Sequence, residues 1–200
     1  MINNCRYVST VRDIAKVSWV ALGGNQSSIA GGPAETVAYA IDLLKAQGYN
    51  LHAKSRLFAN PAFPLGSGPD YVNAVVGFQT DCAPHETLEV LHEIEAKLGR
   101  ERHVRWGSRS VDLDLIAVGD AVFPDVQRQN HWRNLPLDDQ MIQTPDELIL
   151  PHPRMQDRAF VLVPMAEIAP NWLHPILEKT VLQMLNDLPQ QDKDDVRPIE

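Results

Sequence analysis

Cysteine is nearly missing from this 200-residue chain: Cys5 and Cys82 are the only two. Two isolated cysteines make neither a disulfide framework nor a thiolate metal cluster. No stretch is long and apolar enough to span a membrane. The segment from Met1 to Lys16 lacks the apolar run of a secretory signal, so the cytoplasm is the expected compartment. Positive charge is scarce as well. A net charge of −8 argues against a general nucleic-acid or membrane-surface binder.

Common nucleotide motifs are also lacking. Gly23-Gly24-Asn25-Gln26 follows a short apolar run but matches neither GxxxxGK[ST] nor GxGxxG, which removes a P-loop or Rossmann site. No Ser-His-Asp or Cys-His pattern stands in a recognised local context. The length and the 44% hydrophobic content fit a single domain with a sizeable core.

What is present alternates between strand and helix patterns. Ser18 to Leu22 reads as a strand stopped by Gly23-Gly24-Asn25. Pro33 opens a helix with Glu35 in its first turn, Val37, Ile41 and Leu44 at helical spacing, and Gly48 as its stop. Residues 51 to 58 alternate as one strand, and Asn60 to Asp70 is a Pro- and Gly-rich loop. Tyr71 to Thr80 alternates again, with Val72, Ala74, Val76 and Phe78 on one face and Tyr71, Asn73 and Gln79 on the other. Pro84 opens a second helix with a stripe of Leu88, Leu91, Ile94 and Leu98, stopped by Gly99; His92 and Glu95 share a different face.

The order βαββαβ predicts an α+β, ferredoxin-like core: an antiparallel sheet with helices on one face, plus C-terminal additions. RNA-recognition modules share this topology, but the aromatic RNP pattern they need is absent. Residues 121 to 147 show no period and read as a long loop or insertion. Met165 to Ala169 and Val181 to Leu188 read as helices, and residues 190 to 200 as a frayed tail.

Chemistry concentrates in residues 100 to 116. Arg100, Arg102, Arg105 and Arg109 make a local positive patch on an acidic chain, which suits a small anionic ligand. Directly after it, Asp112 and Asp114 sit two apart in an apolar strand run. Their side chains therefore share one face, with Cα atoms roughly 6–7 Å apart, while Val111, Leu113 and Leu115 point into a core. Two neighbouring carboxylates repel unless a cation lies between them, and such an oxygen set suits Mg²⁺ completed by substrate phosphates. An aspartate pair on a strand is ordinarily a solvated face; the adjacent arginines weigh against that reading here.

The run from Arg105 to Ile116 resembles the signature of the 6-hydroxymethyl-7,8-dihydropterin pyrophosphokinases of folate biosynthesis. Four further segments extend the resemblance: Ala21-Leu22-Gly23-Gly24-Asn25, Pro69 to Ala74, Ile94-Glu95 with Gly99-Arg100 and Arg102, and Pro151 to Pro164 closed by Ala169-Pro170 and His174-Pro175. It spans about Val17 to Pro175, less the insertion.

The resemblance implies transfer of pyrophosphate from ATP to the pterin hydroxymethyl group, with release of AMP. It implies two Mg²⁺ ions at Asp112 and Asp114, and catalytic roles for these two with Arg100 and Arg109. Glu95, Arg102, Leu115, Ile149, His152 and Arg158 are implied at ATP. Asn60, Pro61, Phe63, Tyr71, Asn73, Trp106 and Phe160 are implied at the pterin, with Tyr71 and Phe160 stacking on the ring. A monomer is expected, with no nucleic-acid or membrane partner. The chain departs from the family at His92, where a glutamine is usual, at Asn60 to Phe63 in place of a Thr-Pro-Pro-Leu-like loop, and in the longer stretch 121 to 147. A different Mg²⁺-dependent phosphotransferase or nucleotidyltransferase and a non-catalytic ferredoxin-like binding module are the competing readings.

Overall fold

A computed structural model describes residues 16–62, 66, 68–99, 110–136, 139 and 142–199. Its centre is β1 (Val17–Gly24), an almost unbroken apolar strand. It pairs antiparallel with β4 (Tyr71–Gln79) on one side and β5 (Asp112–Val118) on the other. β3 (Phe58–Asn60) and β2 (Asn50–Lys54) both pair with β4. The sheet order β5-β1-β4-β3 carries the βαββαβ arrangement expected from the sequence.

α1 (Pro33–Ala46) and α2 (Pro84–Lys97) cover one face. Val37, Ile41 and Leu44 of α1 and Leu91 and Ile94 of α2 pack there against Val20, Leu22, Val76, Phe78, Leu113 and Leu115. The other face is covered too. Trp19, Ala21, Val75, Ile116 and Ala117 pack against Val161, Leu162 and Met165 of α4 (Ala159–Ile168) and Val181 and Met184 of α5 (Val181–Asp187). The core helices thus lie on one face, as expected, and the C-terminal additions make a second helical layer on the other.

Several local expectations are corrected. The strand over 51–58 is two strands. A register shift between Leu51 and Ala53 leaves Leu51 40% exposed. Between the two strands Ser55 takes over the pairing with β4: its main-chain N–H donates to the Val75 carbonyl (3.0 Å) and its Oγ accepts from the Val75 N–H (3.0 Å). In α2, Thr87 is fully buried and Leu88 only partly; Glu95 is buried, and His92 one turn earlier is exposed.

Within the stretch read as a loop, α3 (Val126–Arg133) is helical. The Asp125 side chain caps it by accepting from the Arg128 N–H at 2.8 Å. Gln129 is its one buried residue and donates to the Pro151 carbonyl at 3.2 Å, so the helix has no apolar stripe for a periodicity to reveal. α4 begins at Ala159, ahead of Pro164, which lies inside it. The tail read as frayed forms α6 (Gln190–Asp194) and β6 (Arg197–Pro198), and β6 pairs with β3. Among the described residues no helix is long and apolar enough to cross a membrane.

A bulge in β5 positions the site. Trp19 faces Ala117 and Val20 faces Leu115, so Ile116 is the extra residue. Before the bulge, Leu113 and Leu115 face the α1–α2 core, which turns Asp112 and Asp114 to the opposite face. At the bulge, the Ile116 carbonyl accepts from the His152 N–H at 2.7 Å and ties the segment after α3 to the sheet.

Candidate active site

Beyond the reach of α4, the second face of the sheet is open, and a cavity of about 260 Å³ occupies it. Ala21, Leu22 and Gly23 form part of its lining, together with Asp112 and Asp114 of β5. Asn60 and Pro61 close one side, Tyr71 and Asn73 of β4 another, and Arg158 and Phe160 at the start of α4 a third. A cavity just below the usual range for drug-sized ligands suits one small ring system.

Asn73 is 5% exposed, and its Nδ2 donates to Asn60 Oδ1; Asn60 Nδ2 donates in turn to the Pro61 carbonyl at 2.9 Å. These amide orientations follow from the hydrogen-bond network. A Cβ on Gly23 would lie 2.6 Å from Asn73 Oδ1, and one on Gly24 would lie 2.3 Å from the Ser110 carbonyl oxygen. Main chain blocks any side chain at Gly24, and one at Gly23 would displace the Asn73 amide. Tyr71 stands directly across from Asn60 in the β3–β4 ladder.

Arg158 joins the polar and aromatic parts. Its Nη1 donates to Asp114 Oδ2 at 3.2 Å, and its guanidinium carbon lies 5.5 Å from the centre of the Phe160 ring. The Arg158 and Asp114 side chains are 27% and 35% exposed, so water screens the pair and leaves it exchangeable.

His152 lies behind this group. Its Nδ1 accepts from the Arg154 main-chain N–H at 3.1 Å. Burial, then the charges of Arg158 and Arg154, hold its pKa well below the usual histidine value, against the pull of Asp112. The ring is therefore neutral near pH 7, with Nδ1 as acceptor and the proton on Nε2 as a donor.

Three other expected residues stand apart from the cavity lining. Glu95 is 2% exposed, and its Oε1 accepts from the Leu113 N–H at 2.7 Å, which latches α2 to β5. Leu115 is 3% exposed in the helix-side core. Like Leu113 two residues earlier, it directs its main-chain groups to the sheet edge. Ile149 is 5% exposed beside the bridge that joins Phe123 to Leu150. Phe63, Arg100, Arg102, Arg105, Trp106 and Arg109 lie outside the described residues.

Sequence reasoning did not single out Ala21, Leu22 or Gly23 as lining residues, nor Arg154, whose N–H sets the His152 tautomer. The adjacent glycines were the available signal for the first group.

No group of three or more metal-ligating side chains occurs among the described residues. Asp112 and Asp114 offer a pair of oxygen ligands on an open cavity. That donor set fits Mg²⁺, which keeps waters and takes substrate phosphates, better than an ion needing an all-protein cage.

Fold and cavity together define the class: a ferredoxin-like α+β protein with a carboxylate-bearing small-molecule cleft on its second sheet face. The model of the 7,8-dihydro-6-hydroxymethylpterin-pyrophosphokinase family matches residues 19–170, and the chain belongs to that family. A Synechocystis 2-amino-4-hydroxy-6-hydroxymethyldihydropteridine pyrophosphokinase is 34% identical over 169 residues, covering 84% of this chain and 74% of the relative. The protein of that name from Methylorubrum extorquens is 35% identical over 155 residues, covering 77% and 83%. Among solved structures, wild-type Plasmodium falciparum HPPK-DHPS superposes with a TM-score of 0.59 at 14% identity; this chain spans 86% of its own length and 44% of that one. That likeness is one of fold.

Proposed function

We propose that this chain transfers the terminal pyrophosphoryl unit of ATP to the hydroxymethyl oxygen of 6-hydroxymethyl-7,8-dihydropterin and releases AMP, a step of folate biosynthesis. The observation that carries this reading is the cavity itself. Two carboxylates, a linked pair of amides and two aromatic rings converge on a space for one small ring system. The hydroxymethyl oxygen bonds to the β-phosphorus, the bond from the β-phosphorus to the oxygen that bridges it to the α-phosphorus breaks, that oxygen leaves with AMP, and the hydroxyl proton is lost. Such transfers depend chiefly on positioning and charge stabilisation.

Tyr71 and Phe160 stack on the flat pterin, and the Asn60 and Asn73 amides bond its polar edge. Asp112 and Asp114 hold Mg²⁺. Two bound ions supply charge neutralisation to the phosphates and acidify the attacking hydroxyl. Arg158 exchanges its Asp114 partner for a phosphate, and the neutral His152 donates its Nε2 proton to another. Arg102 shares the hold on the triphosphate, and Arg100 and Arg109 neutralise the transferred group. Glu95 and the main chain around Leu115 and Ile149 border the nucleoside; Phe63 and Trp106 border the pterin. The reading includes a monomer working in the cytoplasm.

A coupled assay with ATP, Mg²⁺ and the dihydropterin tests this. AMP as product supports it. ADP points to a different phosphotransferase, and absence of Mg²⁺-dependent turnover to a binding module.

Two substitution sets probe the assignments. Tyr71→Ala and Phe160→Ala each weaken pterin binding about tenfold and leave ATP binding nearly unchanged, because the stack touches only the ring. Titration calorimetry giving equal pterin affinity in both variants and wild type would make these aromatics plain core residues. Arg109→Ala lowers kcat far more than Arg105→Ala does, since charge at the bridging phosphate matters most in the transition state. Matching kcat values for the two variants would defeat that division.

A further inference from the structure

The walls that carry Asn60 and Phe160 are both short. Asn60 ends the three-residue strand β3, and Phe160 lies in the first turn of α4. β3 has β4 on one edge. Its other edge is taken by β6, with Phe58 opposite Pro198 and Ala59 opposite Arg197, and the Ile199 N–H donates to the Leu57 carbonyl at 2.9 Å. Val196, which leads into β6, is 7% exposed. It forms a small cluster with Phe58 of β3 and Ala159 of α4, on which Phe160, Val163 and Leu188 also pack.

Phe58 is two residues from Asn60 and so shares its strand face, and Ala159 precedes Phe160. Val196 therefore packs beside both walls, against Phe58 next to Asn60 and Ala159 next to Phe160. It lies beyond residue 170, where the family match stops.

We propose that Val196 is a positioning residue for the pterin side of the site: it wedges between β3 and the start of α4 and sets the separation of Asn60 from Phe160. This rests on the pyrophosphokinase reading above. A three-residue strand whose outer edge is held only by the two-residue β6 yields easily when a buried methyl pair is removed. The hydrogen bond from Asn73 to Asn60 depends on where β3 sits, and a ring held between Asn60 and Phe160 depends on that separation, whereas Asp112, Asp114 and His152 belong to β5 and the segment tied to its bulge.

The test compares Val196→Ala, Ile199→Pro, Val196→Ile and Met184→Ala with wild type in the AMP-release assay, alongside thermal melting. Ile199→Pro removes the N–H that bonds Leu57 and restrains the backbone at the end of β6, at a residue 37% exposed and outside the Val196 cluster, so it keeps the proposal falsifiable if Val196→Ala does not fold. Met184 of α5, 2% exposed, lies outside the Val196 cluster and serves as a control for lost stability.

The pterin KM is expected to rise about five- to tenfold in Val196→Ala and Ile199→Pro, with ATP KM and kcat within about twofold. Val196→Ile should stay near wild type, and Met184→Ala should melt earlier with an unchanged pterin KM. An unchanged pterin KM in folded Val196→Ala or Ile199→Pro overturns the proposal, as does an equal rise in Met184→Ala. A wild-type protein that releases no AMP defeats the pyrophosphokinase reading instead.

Discussion

Asp112→Asn and Asp114→Asn are each expected to lower turnover about 10³-fold or more at saturating Mg²⁺, with thermal melting close to wild type. The two carboxylates share the cavity face of β5, and asparagine keeps their shape while removing the charge that holds the cation. The opposite face of the strand, with Leu113 and Leu115 in the core, is untouched. Asp114 also loses its pair with Arg158, but both side chains are about a third exposed, so that loss is worth less than about 1 kcal/mol. The measurement is AMP release across a Mg²⁺ titration, with circular dichroism as the check on folding. Near-wild-type turnover in either variant would sink the two-ion reading.

The second large effect concerns stability. His174 is fully buried, and its Nδ1 accepts from the Ile176 and Leu177 N–H groups, each at 3.2 Å. Its main chain is engaged as well, with its N–H on the Lys179 carbonyl and its carbonyl accepting from the Glu178 N–H. His174→Ala leaves two main-chain donors without that acceptor and opens a void, a cost of about 2–4 kcal/mol. His174→Asn restores an acceptor and should recover part of it.

Burial, then the charge of Arg133, push the His174 pKa from 6.5 down to about 4. The unfolded chain therefore binds a proton between those values that the folded chain refuses. The stabilisation is complete above about pH 6.5 and is lost as pH falls to about 4, a total of roughly 3 kcal/mol. Burial and arginine charges lower His152 as well, so it adds acid sensitivity of the same sign. Denaturant midpoints between pH 4 and 7 should fall steeply on the acid side in wild type and less so in His174→Asn. Parallel curves for the two proteins would remove His174 as a source of the pH dependence.

Much of the framework was legible in local pattern. The apolar runs of β1 and β4, the prolines opening α1 and α2, and the alternation around Asp112 and Asp114 are each written within a few residues. The second helical layer had a signal too. Trp19-Val20-Ala21-Leu22 and Ala74-Val75-Val76 are continuous rather than alternating, as befits strands buried on both faces. α3 had no such signal, because a cap at Asp125 and the docking of Gln129 on Pro151 hold it. Glu95 could equally have been a surface charge. Its burial depends on meeting the Leu113 N–H, which β5 turns away from β1.

The sequence alone determined that Asp112 and Asp114 point the same way, since a two-residue period is a property of the extended backbone itself. It also placed Gly23 and Gly24 at the end of β1, where a side chain would meet the Asn73 amide or the Ser110 main chain. Only the tertiary structure decided which sheet face would stay open and what would gather there. Arg158 reaches Asp114 across 44 residues, Asn73 reaches Asn60 across 13, and Val196 reaches Phe58 from beyond the family match. Contacts of that kind arise when covering layers close over the sheet, and no local window of sequence contains both partners.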